Sequence, residues 1–491
     1  MKQKNKSKIL KKSGLNSQLR KDLEKFSRLR YHYFHNRFRT PIYTYILWEG
    51  LTKHYNNEVQ FNYEINNMIN LNNDLAADLN EWNSLVERIE NFLKKDKLLL
   101  EKLMNMAIDL NLKIVKLARE LSRERQKNLI KKKLNLFFEN SYKFGAFNIF
   151  TLLVEKSLEN KLKEIIKIRF GKDEDKIFQI LTTPQELSAI QEKEIDLLKI
   201  AEMSMNNKEK YIKKHLEKFA WLKNSSYNGE FYTLKEVMKE IKKIKNINQQ
   251  YKEKEEIHKK EFAKYFHYLE NNEKELVRVL LKSINFRSWR TERFYFNAFI
   301  LNNLFMFLGK EIGLKDYKDI FYLTPPEILN LIEERKVNLD LIEERKKGYV
   351  MISDKFSTRI YSGNNVKKFK KKINFQEKLN NKIEEISGQI VYPGNAIGNA
   401  RVINKREDLK KVKRGEILIT EMTTPDYVPS LKLVKGIATN EGGIMCHAAI
   451  ISRELKIPCI VGTKIVTKIF KNGDLIEIDA NKGIIKLIKK K

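Results

Sequence analysis

The sequence predicts a multidomain chain: a large, mostly α-helical region followed by a small α/β domain. Three observations carry this reading. At 491 residues, 42% of them hydrophobic, the chain can bury a large core and has the length of roughly two to four domains. Helix breakers are unevenly spread: residues 1–385 hold nine glycines and four prolines, whereas 386–491, about a fifth of the chain, hold ten and four. Before residue 386 apolar residues recur at three- and four-residue spacing, and after it short apolar runs alternate with turn residues.

In the first region, "LVERIENFLKKDKLLLEKLMNMAIDLNLKIVKLARELSRE", "LEKFAWLK" and "ERFYFNAFILNNLFMFLGKEIG" carry the helical period. "TTPQELS" (182–188) and "LTPPEIL" (323–329) combine a polar residue, proline and an acid, the pattern of a helix start. "IEERK" occurs at 332–336 and at 342–346 and reads as charged helix surface. "YVMISDKFSTRIYS" (349–362) alternates and predicts a hairpin. Residues 364–387 are polar and basic and read as a linker, so the domains divide as 1–363, 364–387 and 388–491.

After Gly388, "QIVYPGNAIGNARVI" predicts two short strands around "PGNAIGN". "EILITE" (416–421) and "GIATN" (436–440) predict buried strands, "HAAIISREL" a helix and "PCIVGT" a further strand. "DLIEIDANKGIIKLI" predicts a closing hairpin with "DANKG" as its turn.

The 96 basic and 63 acidic residues give a net charge of +33. Such an excess attracts polyanions, yet the abundant lysines stand mostly beside glutamates on helices, so a solvated surface is expected and nucleic acid is not the expected partner. Cys446 and Cys459 are the two cysteines, which make no disulfide framework and fit a reducing cytoplasm. The basic start "MKQKNKSKILKKSG" is followed by no apolar run, and no apolar run approaches a membrane span, so neither a signal peptide nor a membrane location is expected.

The residues that carry chemistry stand in "TNEGGIMCHAAIISREL" (439–455), which holds the last of seven histidines. Gly442 and Gly443 permit a tight turn, and the helix after them places His447 in or near its first turn. The free N–H groups and the positive dipole end favour an anion there. Neutral imidazole is a nucleophile near neutral pH, so His447 can accept a phosphoryl group. A histidine at such a place, taken alone, more often caps or packs the helix start. Ala448, Ile451 and Leu455 form the expected buried stripe, with His447 at its edge.

"TNEGGIMCHAAIISRELKIPCIVGT" resembles the phosphohistidine signature of the phosphoenolpyruvate-utilising enzymes, a group that includes phosphoenolpyruvate synthase, pyruvate phosphate dikinase and rifampicin phosphotransferase. "YPGNAIGNARVI", "GEILITEMTTPDYVPSL" and "NGDLIEIDANKGIIKLI" extend the resemblance over Gly388–Ile488, the swivelling phosphohistidine domain of that family. The resemblance implies that His447 is phosphorylated and passes the group on, and that Gly442 and Gly443 shape its loop. Thr439 and Arg453 match family positions. A weaker resemblance runs through "LTTPQELSAIQEKEIDLLKIAE", "FAWLKNSSYNGEFYTLKEV" and "KDIFYLTPPEILNLIEERKVNLDLIEERKKGYVM", which are similar to the helical middle region that holds the acceptor in rifampicin phosphotransferase.

The same resemblance implies ATP and Mg²⁺, handled in the family by an ATP-grasp domain. The chain shows no pattern of that domain, no phosphate-binding G-x4-G-K-[ST] loop and no segment matching the family's C-terminal barrel. A separate ATP-grasp protein is therefore the implied partner, with a small-molecule acceptor held by the helical region. The alternative is a non-catalytic interaction protein that keeps the domain as a docking module. Met445 stands where synthase and dikinase relatives usually carry a regulatory threonine, so that regulation is expected to be absent.

Other residues have blander readings. Cys446 diverges from His447 around a helix and reads as packing, and Glu441 as a loop carboxylate. "RLRYHYFHNRFRTPIY" (28–43) reads as an amphipathic surface segment, and His32 and His35 lack companion ligands, so no metal site is expected. Arg287, Arg290, Glu292 and Arg293 in "FRSWRTERF" either face an anion in an acceptor pocket or form a surface charge cluster.

Overall fold

The computed structural model describes residues 17–36, 40–54, 65–71, 74–95, 99–171, 174–183, 189–203, 205–223, 231–243, 259–373, 385–404, 406–423, 427–440, 447–463 and 465–490. The chain divides into two units, one of residues 1–157, 224–231 and 283–377, the other of 158–223, 232–282 and 378–491.

The first unit is largely helical, and the expected hairpin is present as β4 (Tyr349–Ser353) and β5 (Thr358–Ser362), with Tyr349 opposite Ser362. The sequence reading lacks what the hairpin joins. With β1 (Tyr31–Asn36), β2 (Met68–Leu71) and β3 (Asp74–Asp78) it makes a five-stranded antiparallel sheet in the order β1-β3-β2-β4-β5. The segment 28–43 thus contributes a strand and, from Pro41, a helix.

Successive strand residues face opposite ways. On one face Ile69, Leu71, Val350 and Ile352 pack with Leu19, Leu23 and Phe26 of the helical stretch 17–27. Val366 and Phe369 of the helix Asn364–Lys372 join the same core, although 364–387 reads as a linker; residues 374–384 lie outside the described residues. The other face carries polar groups that the helix Pro41–Glu49 and the turn after it satisfy. Tyr349 Oη lies 2.7 Å from Thr44 Oγ1 and accepts from Asn70 Nδ2 at 3.1 Å, and Ser353 Oγ lies 2.9 Å from Thr52 Oγ1.

Two ion pairs, each with one buried partner, fasten this unit. Arg359 on β5 donates from Nε and Nη2 to Asp22 at 2.8 and 3.1 Å and from Nη2 to Asp354 at 2.8 Å, while Tyr361 Oη donates to Asp22. The helix Pro325–Glu334 starts at Thr324 in a capping box with Glu327, as "LTPPEIL" predicts. Glu327 also takes both Nη atoms of Arg345 at 2.6 and 2.7 Å. Arg345 belongs to the second "IEERK" copy and is buried, so that copy is not plain charged surface. Burial pushes the Glu327 carboxyl up, and the Arg345 guanidinium outweighs it and holds the carboxyl below its ordinary range.

In the second unit the helices Ala189–Glu202, Met205–Phe219 and Leu234–Lys243 enclose a small core of Leu197, Ile200, Ile212 and Val237. His215 lies inside it, with Nδ1 at 2.6 Å from Asp196 and Nε2 buried without a hydrogen bond. Burial pulls the imidazole pKa below its ordinary value despite the Asp196 carboxylate.

The same unit contains the α/β domain. Its eight strands are β6 (Glu385–Ser387), β7 (Gln389–Tyr392), β8 (Asn395–Ile403), β9 (Ile417–Thr420), β10 (Gly436–Thr439), β11 (Cys459–Val461), β12 (Leu475–Asp479) and β13 (Ile484–Lys489). They pair in the order β6-β13-β12-β8-β9-β10-β11-β7. Neighbours from β8 to β11 are parallel and the rest antiparallel. The core is formed by Ile417, Ile419, Ala438, Ile460, Ile476 and Ile478 among others. The segment "NAIGN" lies within β8, so Pro393 and Gly394 alone turn the chain between β7 and β8, which do not pair with each other.

Arg359→Leu leaves Asp22 as a buried carboxylate without its cation and is expected to destabilise the first unit by about 3 kcal/mol. Urea denaturation measures this, and a cost near zero would show the pair to be incidental. For His215, the unfolded chain binds its proton near pH ~6.5 and the folded chain only at lower pH. More protons are then bound unfolded, so this contribution is full above about pH 6.5 and is lost as the pH falls below it. His215→Leu should flatten the stability-versus-pH slope just below that pH; an unchanged slope assigns it to other groups.

Candidate functional site

The parallel run β8 to β11 gives the α/β domain one edge at which strand carboxyl ends gather, the edge where open parallel sheets hold ligands. Three chain segments leave the sheet there, after β9, β10 and β11, and they are bonded to one another. The Thr439 carbonyl at the end of β10 accepts from the backbone N–H of Thr463 at 3.1 Å and from its hydroxyl at 2.9 Å. Asn440 follows, its N–H donating to the Thr420 carbonyl at 3.1 Å. Its side-chain amide donates to Glu421 at 2.5 Å and to Thr467 Oγ1 at 2.7 Å, and its Oδ1 accepts from the Thr467 N–H at 2.9 Å. Thr439 and Asn440 are both buried.

From this anchor the chain enters residues 441–446, so the predicted loop residues Gly442 and Gly443, with Glu441, Met445 and Cys446, lie outside the described residues. It returns as the nine-residue helix His447–Leu455, and His447 is its first residue, as the sequence reading expects. The N–H groups of the first turn have no intrahelical carbonyl to bond, and the dipole is positive at this end. Ala448, Ala449, Ile451 and Ser452 are buried, and Leu455 is half-buried. The packed face is thus broader than the predicted stripe, and the two alanines allow close packing.

The helix ends in a tight left-handed turn. Lys456 has φ 55°, and the Ile457 N–H donates to the Ser452 carbonyl at 2.9 Å. Arg453, in the last turn, donates from Nε to the Val391 carbonyl on β7 at 3.4 Å. Six residues of helix put its backbone about 9 Å from that of His447 along the axis. Thr439 is placed at the base of the histidine segment, and Arg453 joins the far end of the helix to the edge strand.

The residues that the sequence reading misses are Asn440, Glu421, Thr463 and Thr467. They come from three separate stretches, around 421, 440 and 463–467, and meet only in the folded sheet, so no spacing rule finds them. The arginine-rich stretch 286–294 lies in the first unit. There Arg290 is buried and donates to the Phe147 carbonyl at 2.9 Å, while the Arg293 guanidinium lies 5.0 Å from the Phe296 ring centroid. Arg290 is thus an internal fastening and not part of a surface cluster. Among the described residues no group of three or more His, Cys, Asp or Glu side chains is placed to hold a metal ion, and no helix is long and apolar enough to cross a membrane.

Comparison with known proteins falls on this domain. The family described as "PEP-utilising enzyme, mobile domain" matches residues 412–483. A probable phosphoenolpyruvate synthase of Archaeoglobus fulgidus is 47% identical over 108 residues, 21% of this chain and 14% of that protein. The phosphoenolpyruvate synthase of Pyrococcus furiosus is 47% identical over 105 residues, 20% of this chain and 13% of that protein. Rifampicin phosphotransferase of Bacillus cereus is 31% identical over 178 residues, 36% of this chain and 20% of that protein. The chain thus spans a small part of the length of the curated relatives it matches. The segment 412–483, which holds His447 at the carboxyl edge of the parallel strands, is thus similar to the mobile domain of PEP-utilising enzymes.

Proposed function

We propose that this chain is the carrier and acceptor part of a phosphotransferase, with His447 as the residue that is phosphorylated. The observation that carries the reading is the place of His447: first residue of a helix, at the carboxyl edge of a parallel sheet, inside the segment matched by the family. In the first step a P–O bond of a nucleotide breaks as a P–N bond to the imidazole forms. In the second the P–N bond breaks and a P–O bond to an acceptor hydroxyl forms, the hydroxyl proton leaving to imidazole or solvent. The helix N-terminus holds the anionic group in between. Gly442 and Gly443 shape the loop, and Thr439 with Asn440 fixes where it begins.

In this reading residues 388–491 are the carrier, and the region before them, whose core takes in the helix Asn364–Lys372, holds a small hydroxylated acceptor. The 178-residue match to rifampicin phosphotransferase, longer than the matched domain alone, supports an acceptor of that kind. ATP and Mg²⁺ belong to a separate ATP-grasp protein that charges His447 in trans. Phosphoryl transfer asks for in-line placement and charge neutralisation, so a carrier that visits two sites suits a single histidine.

With labelled ATP and an ATP-grasp partner, the full chain should take up an acid-labile, alkali-stable phosphate and His447→Ala none. Equal label in that variant would falsify the assignment. Asn440→Leu removes three side-chain hydrogen bonds and should destabilise the domain by about 1–3 kcal/mol. Denaturant titration reads the stability, and the initial rate of labelling should fall alongside it. A stable variant that labels at the normal rate would remove Asn440 from the site.

A further inference from the structure

We propose that the outer layer of the five-stranded sheet in the first unit is a binding surface for single-stranded nucleic acid. Most lysines of the chain stand near glutamates, but two stretches depart from this. Residues 1–21 contain eight Lys and Arg and no acid, and residues 355–376 contain seven and no acid; no other acid-free stretch has more than five. They lie at opposite ends of the first unit's sequence, and the fold brings their described parts together.

The helical stretch 17–27 and the helix Asn364–Lys372 cover the same sheet face and share one core. Tyr361 on β5 links them: its hydroxyl donates to Asp22 on the first, and its ring centroid lies 5.4 Å from that of Phe369 on the second. The inward residues are apolar apart from Asp22, which Arg359 and Tyr361 hold, so the lysines point out. Arg20, Lys21, Lys367, Lys368, Lys370 and Lys371 are all exposed. Lys367, Lys370 and Lys371 form no ion pair with a described residue. Like charges gathered on two adjacent helices repel one another, and a polyanion relieves that repulsion while releasing its counterions.

The nearest turn adds a flat apolar group. Between β4 and β5, Phe356 is 80% exposed, with the Lys355 ammonium 5.1 Å from its ring centroid. Asp354 of the same turn is 3.7 Å from Lys25 on the stretch 17–27, so the ring stands beside the basic layer. An exposed aromatic next to a basic track is what unpaired bases stack on. An anionic bilayer fits less well, because Leu19, Leu23, Phe26, Val366 and Phe369 are spent in the core and the layer keeps no apolar face to insert.

The test uses the full chain and a fluorescein-labelled uridine oligonucleotide, with polarisation read across a salt series. Lys367→Glu/Lys370→Glu/Lys371→Glu should weaken binding by at least about tenfold and flatten the log–log salt slope by about 2. Lys113→Glu/Lys116→Glu/Lys310→Glu changes the net charge equally at exposed sites outside this layer and should leave both nearly unchanged. Phe356→Ala should weaken oligonucleotide binding several-fold but not binding to heparin, which has no bases. The proposal falls if the control triple loses as much as the first, if Phe356→Ala spares the oligonucleotide, or if the wild-type chain binds anionic vesicles and no oligonucleotide at low salt.

Discussion

The hydrogen bonds around Asn440 are the constraint on which the histidine segment depends. A parallel strand delivers its chain to the carboxyl edge with no hairpin partner to guide it onward. After β10 the next described residues form the helix His447–Leu455, packed on the sheet. One buried side chain that bonds to Glu421 and to both the hydroxyl and the N–H of Thr467 fixes the point of departure. The Thr439 carbonyl, held twice by Thr463, fixes the residue before it. Arg453 and the left-handed turn at Lys456 hold the other end of the helix. The strand end before the segment and the far end of the helix after it are thus both fastened to the sheet.

Much of the α/β domain is legible in the sequence because its strands are short and its breakers frequent. "HAAIISREL" is the helix from first residue to last, β9 to β12 fall within the predicted runs, and β13 runs one residue past its own. The misreading of "PGNAIGN" is instructive. Gly398 reads as a turn residue but lies inside β8, where a Cβ would stand 2.7 Å from the Gly415 carbonyl oxygen. It is required by close approach of another backbone and not by a bend, and sequence alone does not separate these two uses of glycine. His447 is likewise legible, because its local neighbours identify it. Glu421, Thr463 and Thr467 are not, because what joins them to Asn440 is strand order.

The five-stranded sheet of the first unit escapes sequence reading for a different reason. Its inner strands are four or five residues long and buried on both faces, so β2 and β4 lack the polar–apolar alternation of a half-exposed strand. Pairing is also remote: Met68 lies opposite Ser353 and Leu71 opposite Val350. Helical propensity of the intervening sequence says nothing about such a closure. What makes it stable is visible only in three dimensions, where Asn70, Tyr349 and Ser353 meet Thr44 and Thr52 and each finds a hydrogen-bond partner.

Charge tells the same lesson from the other side. A chain of net charge +33 invites a single explanation, compositional bias, and that explanation covers many lysines. It does not cover Arg345 and Arg290, which are buried, or the half-buried Arg359, each of which holds a carboxylate or a carbonyl. Nor does it cover Lys367, Lys370 and Lys371, which remain exposed with no anion among the described residues. Buried cations are retained because removing one strands its partner at a cost of several kcal/mol, whereas an exposed lysine costs almost nothing to replace by glutamate. Folding therefore accounts for the arginines and leaves these exposed lysines unexplained. Selection for binding, which acts on exposed charge without touching stability, is the remaining physical reason to keep so many like charges side by side.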